Sequence, residues 1–301
     1  MKKLLSIVIV LTFIVAAFAG CGSTKAENYE LAIGVAVTEN LAKSKVTQTV
    51  ASIVTDAEGK IVLCRLDCVD YTAKYGEDGA LDTTAPVSKV ALGDNYGAMP
   101  AGTWYVQGAA LENYVTGKTQ AEVAAIALEG GVVADADLKA SCSINVTDLL
   151  KAIDNAFKSE HKIAFTASSA LTAGLSAQTS VKDTSAEDVK SVKVSTTYAA
   201  TVMEDGKVVA AILDTAEPEL KEITENGAAS LAFGGSKRAL GENYGAMPAG
   251  TWYVQADAYV LAAYGLTVDN IASLASEGVA GCTIYAGGYK ACIEAAVKAG
   301  R

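Results

Sequence analysis

Residues 88–107 read SKVALGDNYGAMPAGTWYVQ, and residues 236–255 read SKRALGENYGAMPAGTWYVQ. Eighteen of the twenty positions agree at an offset of 148. A period this long means two tandem modules and not a solenoid, whose repeats run to about 20–50 residues. The likeness extends upstream, where 56–62 (DAEGKIV) answers 204–209 (EDGKVV) and Asp67 matches Asp214. Downstream, 141–144 (SCSI) answers 281–284 (GCTI) at an offset of 140, so the second copy is eight residues shorter in between. The modules are expected at 31–165 and 175–301, with a boundary near 168–185, a stretch rich in Ser, Thr, Ala and Gly.

Each copy carries the same coarse pattern. Runs 46–55 and 60–69 are rich in Val and Ile and meet at a Glu-Gly-Lys turn, which predicts a hairpin. Runs 193–203 and 207–213 around Asp205-Gly206 predict its partner. The duplicated loop follows, and then 104–115 and 251–264 show helical apolar spacing. Thr119-Gln120-Ala121-Glu122 reads as a capping box opening the next helix. Short strands at 142–146 and 282–285 lead into last helices at 147–158 and 288–299. Strands first and helices later predict an α+β fold of two homologous domains, each a small antiparallel sheet packed with helices.

The chain has 301 residues, 51% of them hydrophobic, with 24 Lys and Arg against 34 Asp and Glu, a net charge of −10. That is enough apolar material for a core, and it excludes a disordered chain. An acidic protein without a basic run has no electrostatic reason to hold nucleic acid. The amino terminus reads as an export signal over 1–20: Met1-Lys2-Lys3, then an uncharged and mostly apolar run over 4–19. Sixteen residues fall short of the ~20 a membrane-spanning helix needs. The run ends in Phe18-Ala19-Gly20-Cys21, which resembles the lipobox of bacterial lipoproteins. That resemblance implies lipidation at Cys21, a tether over 21–30, and a protein anchored on the extracytoplasmic face of a cell membrane.

Five cysteines remain after Cys21, and an odd number cannot all pair within one chain. Cys64 and Cys68 share a predicted strand about 13 Å apart, too far for a disulfide. The five read as small buried hydrophobes, and with no CxxC pair they offer no metal site. Asp67, Asp70, Asp82, Asp94 and Asp214 read as solvated turn charges, and the one histidine, His161, as an exposed helix end. There is no GxSxG, P-loop, GxGxxG or EF-hand loop, so no catalyst with its own active-site residues is expected.

Two features could carry chemistry. In the duplicated loop, Tyr96, Trp104, Tyr105 and Gln107 are repeated as Tyr244, Trp252, Tyr253 and Gln255. Aromatic rings beside a helix amino terminus suit a flat anionic ligand, or else pack the helix onto the sheet. The second feature precedes the last helix: 137–143 (DLKASCS) and 277–283 (EGVAGCT) each end in a hydroxyl six residues after an acid. These segments resemble the motif of FMN-binding domains in exported bacterial flavoproteins, roughly Asp-x-x-Ser/Thr-Gly-Ala-Thr/Ser. In that family the last hydroxyl is esterified by the phosphate of FMN, attached by a dedicated flavin transferase. The resemblance implies FMN as cofactor on Ser143 or Thr283, aromatic loop residues against the flavin, and electron transfer from a membrane donor. A second function remains open, in which a flavin-free lipoprotein uses the YGAMPAGTWYVQ loop to engage a ligand or partner.

Overall fold

The structure is a computed structural model in which residues 26–76, 79–97, 99–187, 189–245 and 247–301 are described. The expected signal peptide over 1–20, the lipidation position Cys21 and the first part of the tether lie outside the described residues.

Each half of the chain opens with three antiparallel strands. In the first half these are β1 (Glu27–Asn40), β2 (Lys45–Thr55) and β3 (Ile61–Thr72). The duplicated loop region supplies α1 (Lys89–Leu92) and α2 (Trp104–Val115). Then come α3 (Gln120–Ala124), a small hairpin of β4 (Leu128–Glu129) and β5 (Val132–Val133), α4 (Ala136–Ser141) and α5 (Thr147–Phe157). Strand β6 (Ile163–Ala167) returns to pair with β1. The second half repeats the plan with β7 (Leu171–Asp183), β8 (Val192–Glu204), β9 (Lys207–Ala216), α6 (Lys237–Leu240), α7 (Trp252–Val260) and α8 (Gly287–Lys298). Two short strands, β10 (Glu219–Lys221) and β11 (Ser230–Ala232), extend its sheet. The fold is α+β, with strand orders β3-β2-β1-β6 and β11-β10-β8-β7, and β9 paired to β8.

The two sheets pack face to face. Strand β3 lies on β7, β1 and β6 lie on β9, and β2 crosses β8. Since β1, β2 and β3 correspond to β7, β8 and β9, exchanging the halves reproduces the same contacts, a pseudo-twofold arrangement. Helices α5 and α2 cover the outer face of the first sheet, and α8 and α7 that of the second. The result is four layers, helix–sheet–sheet–helix. Strand alternation decides which side chain goes where: Ala199 and Met203 face the helices, while Tyr198, Ala200 and Val202 face the opposite sheet. At the centre, Tyr198 donates to Gln48 Oε1 (3.1 Å) and Gln48 Nε2 donates to the Val194 carbonyl (3.2 Å), so the buried amide is satisfied on both ends.

The structure corrects several readings. The polar stretch 168–185 is for the most part strand β7, whose Ala173, Gly174, Leu175 and Ser176 are buried. Its small residues are there because α8 lies against them: a Cβ on Gly174 would collide with the Ala296 carbonyl. Segments 142–146 and 282–285 are irregular and form no strand. Helix α7 stops at Val260 and gives way to a 3-10 turn, so 251–264 is not one helix. The Thr119–Glu122 capping box is present in both its bonds. Cys64, Cys68, Cys142 and Cys292 are buried free thiols, and Cys282 is half-buried and free.

Candidate functional site

The duplicated motif builds the same local structure twice. Ser88 and Ser236 cap α1 and α6, each accepting from the backbone N–H three residues on (3.3 Å). Beneath them, Asp67 Oδ1 accepts from Val90 N (3.0 Å) and Cys68 N (2.7 Å), and Asp214 Oδ1 from Arg238 N (2.9 Å) and Thr215 N (2.7 Å). These acids are mid-strand and 2% exposed, so the expectation of solvated turn charges is wrong for both. Burial pushes the Asp67 carboxyl up to about 6, with Ser88 and the two backbone N–H groups pulling the other way. Asp214 is raised by the same cause. Asp70 is also engaged, accepting ion pairs from Lys45 and Lys89. Asp82 and Asp94 are exposed, as expected.

The tryptophans face inward. Trp104 and Trp252 are 5% and 2% exposed, and their rings join the helix–sheet cores. The Lys89 ammonium lies 5.2 Å from the Tyr96 ring centroid and 5.6 Å from that of Trp104, paired with Asp70 (3.2 Å). Lys237 repeats this against Tyr244 (5.0 Å) and Trp252 (5.7 Å), paired with Glu217 (3.1 Å). Each lysine therefore has cation–π contacts and an acid partner at once, which recovers the cost of its burial. Of the two roles open to the rings, both indoles take the packing one. Tyr105 and Tyr253 are half-buried and donate to Asp94 (3.3 Å) and Glu242 (3.0 Å).

Gln107 and Gln255 join the two candidate features. Gln107 Nε2 donates to the Gly102 carbonyl in the loop (2.7 Å), while its Oε1 accepts from Ser143 N (2.7 Å) and Oγ (3.1 Å). Gln255 does the same with Gly250 (3.0 Å) and with Thr283 N and Oγ1 (2.8 Å each). Both glutamines are fully buried. The amide oxygen satisfies the backbone N–H of Ser143 and of Thr283, so these irregular segments leave neither donor unpaired.

The modules differ around the hydroxyl. Thr283 is exposed and lines a cavity of about 330 Å³ with Tyr259, Glu277, Cys282, Ile284 and Tyr285. Tyr285 is 88% exposed at its rim. In the first module the β4–β5 hairpin stands in the corresponding place: Gly131 O accepts from Val146 N (2.8 Å), and Gly131 abuts Asn145. Asn145 and Val146 match Tyr285 and Ala286 at the offset of 140, and both of those line the cavity. The eight residues missing from the second copy thus leave open a space that the first copy fills. Glu277 brings an acid, and among the described residues no basic side chain lines this cavity, so a phosphate there would gain no charge stabilisation and depend on a covalent link.

Sequence reasoning missed Lys89 and Lys237, although the Ser-Lys pair opens both copies of the 20-residue match. It also missed the ion pair of Arg238, 1% exposed, with Asp257. His161 is half-buried, not an exposed helix end, with its ring stacked on Tyr253 at 4.0 Å. Comparison with protein-family models, curated proteins and solved structures gives no match. Among the described residues no cluster of His, Cys, Asp or Glu could hold a metal ion, and no helix is long and apolar enough to cross a membrane.

Proposed function

We propose that this chain is a lipid-anchored extracytoplasmic protein that carries one FMN on Thr283 and acts as an electron carrier beside the membrane. The observation that carries the reading is Thr283 itself, an exposed hydroxyl fixed by Gln255 on the wall of a cavity flanked by tyrosines. In the attachment step the Thr283 hydroxyl would give up its proton and its oxygen would bond the phosphorus of the FMN half of a flavin dinucleotide presented by a flavin transferase. The dinucleotide's phosphoanhydride bond would break and the nucleoside monophosphate would leave. Once attached, the isoalloxazine supplies the redox chemistry. The chain's own part is positional: Gln255 orients the hydroxyl, and Tyr285, exposed at the rim, offers a ring, while Tyr259 is buried in the cavity wall. Module one acts as scaffold, with Ser143 beside the β4–β5 hairpin.

A second reading has its own support. The burial of Trp104 and Trp252 under Lys89 and Lys237 removes the rings best suited to a flavin. It leaves Asn95, Gly97 and Pro100, with Asn243, Gly245 and Pro248, as an exposed duplicated surface. A flavin-free lipoprotein would engage a ligand or partner there. Intact mass and in-gel fluorescence of the mature chain, made in an exporting host with and without a flavin transferase, separate the two. A gain of one FMN supports the carrier; a colourless, unmodified chain supports the second reading.

A further inference from the structure

Between the two halves lies a cleft of about 540 Å³. One wall is strand β1 at Ile33–Val37, where β2 pairs on one side and β6 has already ended at Leu31. A second wall is the face of α5 that carries Lys151 and Asn155, continued by Lys158 at its C-cap, spaced i, i+4, i+7. The third is the Phe233–Ser236 loop with Arg238 behind it.

Pseudo-twofold symmetry requires a matching cleft beside β7, and there it is closed. The Arg65 guanidinium donates to the Ala173 carbonyl (3.0 Å) and to the Arg301 carbonyl, and Arg301 reaches Glu112 (2.8 Å). At the open cleft the positions matching Arg65, Glu112 and Arg301 are Ile212, Val260 and His161. The plug's residues are not repeated there; Arg238 holds the His161 carbonyl from behind instead, and the space stays open.

The cleft's chemistry is unusual for a chain of net charge −10. Lys151 is exposed with no ion-pair partner among the described residues, Lys158 pairs with Asp154, and His161 stands at the junction. Two acids also line the space. Asp214 is occupied by backbone N–H groups, and Glu160 is exposed. Arg238 is neutralised by Asp257 and by the Leu213 and His161 carbonyls. Ile33, Val35 and Phe233 give an apolar floor. Lys151, the one lining cation without an acid partner among the described residues, stands beside an apolar patch and suits a ligand with an anionic end and a flat or aliphatic body.

We infer that this cleft binds one small organic anion per chain, an aromatic or aliphatic carboxylate, sulfonate or phosphate, at a site separate from Thr283. The proposal does not rest on flavin attachment. The test titrates 1-anilinonaphthalene-8-sulfonate, and its uncharged parent N-phenyl-1-naphthylamine, into the mature chain made without a flavin transferase. The anionic probe should bind at one per chain and the neutral one much more weakly. Lys151→Glu should weaken the anion about tenfold, equivalent to about 1.4 kcal/mol, with the melting temperature unchanged. Lys60→Glu, an exposed residue of the β2–β3 turn, makes the same charge change and should leave binding intact. Equal binding of the two probes, or equal effects of Lys151→Glu and Lys60→Glu, would overturn the site. So would loss of binding in Thr283→Ala.

Discussion

Gln107 and Gln255 each hold a loop carbonyl with one end of the amide and a Ser or Thr with the other, and this stitches two distant segments into one site. Both segments were legible in the sequence, because the duplication printed them twice. The stitch was not, because an amide's reach across 28 to 36 residues leaves no spacing signal. The buried acids were hidden for a similar reason. Asp67 sits in a Val- and Cys-rich run where a charge suggests a turn, yet it faces the amino end of α1 and finds N–H donors there. Its pKa, 3.8 in an open chain and about 6 when folded, sets the sign of a pH effect. Between these values the folded state holds a proton that the unfolded chain has released. The stabilisation is therefore complete at low pH and is lost as pH rises through 6. Asp67→Asn lacks this titration. Relative to wild type, its unfolding free energy should rise by about 1–3 kcal/mol between pH 4 and pH 8, measured by urea denaturation. A constant difference across that range would contradict the account.

At the scale of elements, the hairpins and the long helix α2 followed directly from β-branched runs and 3.6-residue spacing. Strands β1 and β7 did not, and β7 looked like a linker because its middle is small and polar. Helix packing explains the composition. Gly34 meets the backbone of Ala152 and Ala156 in α5, and Gly174 meets that of Ala296 in α8, so the helix rests on bare strand backbone in both halves. The pairs Gly34/Gly174 and Ala156/Ala296 recur at the offset of 140. Placing a side chain there must push the helix off the sheet. Gly34→Val should destabilise by about 3 kcal/mol or more, at the upper end of overpacking costs, read as a lowered denaturation midpoint with unchanged slope. A midpoint within error of wild type would mean that the helix can shift freely, contrary to the packing described.

The whole molecule shows what tandem repetition alone cannot: the two modules are not separate beads but share a core through their sheets, with Tyr198, Ile212, Leu31 and Val50 between them. Sequence periodicity reports that a unit was copied and is silent on how the copies meet. The copies differ both where they meet and around the hydroxyl. One junction is closed by Arg65, Arg301 and Glu112; the other is braced by Arg238 and Asp257 and leaves a cleft. Removing one partner of a buried pair leaves a charge without compensation. Asp257→Ala should therefore cost about 2–4 kcal/mol, the lower part of the buried-pair range being right because Asp257 is one-third exposed. Arg238→Met should cost less, because no charge is stranded in the core. Thermal melts of the two variants check the order, and a reversed order would show that the guanidinium acts mainly through its bonds to the Leu213 and His161 carbonyls and not through Asp257.

The asymmetry around the hydroxyls gives the most direct test of the central claim. Intact-mass analysis of the mature chain, exported together with a flavin transferase, should find one FMN per chain. That mass should persist in Ser143→Ala and vanish in Thr283→Ala. An unmodified wild-type chain, or FMN retained by Thr283→Ala, would contradict the flavin reading and leave the exposed duplicated loop as the working surface.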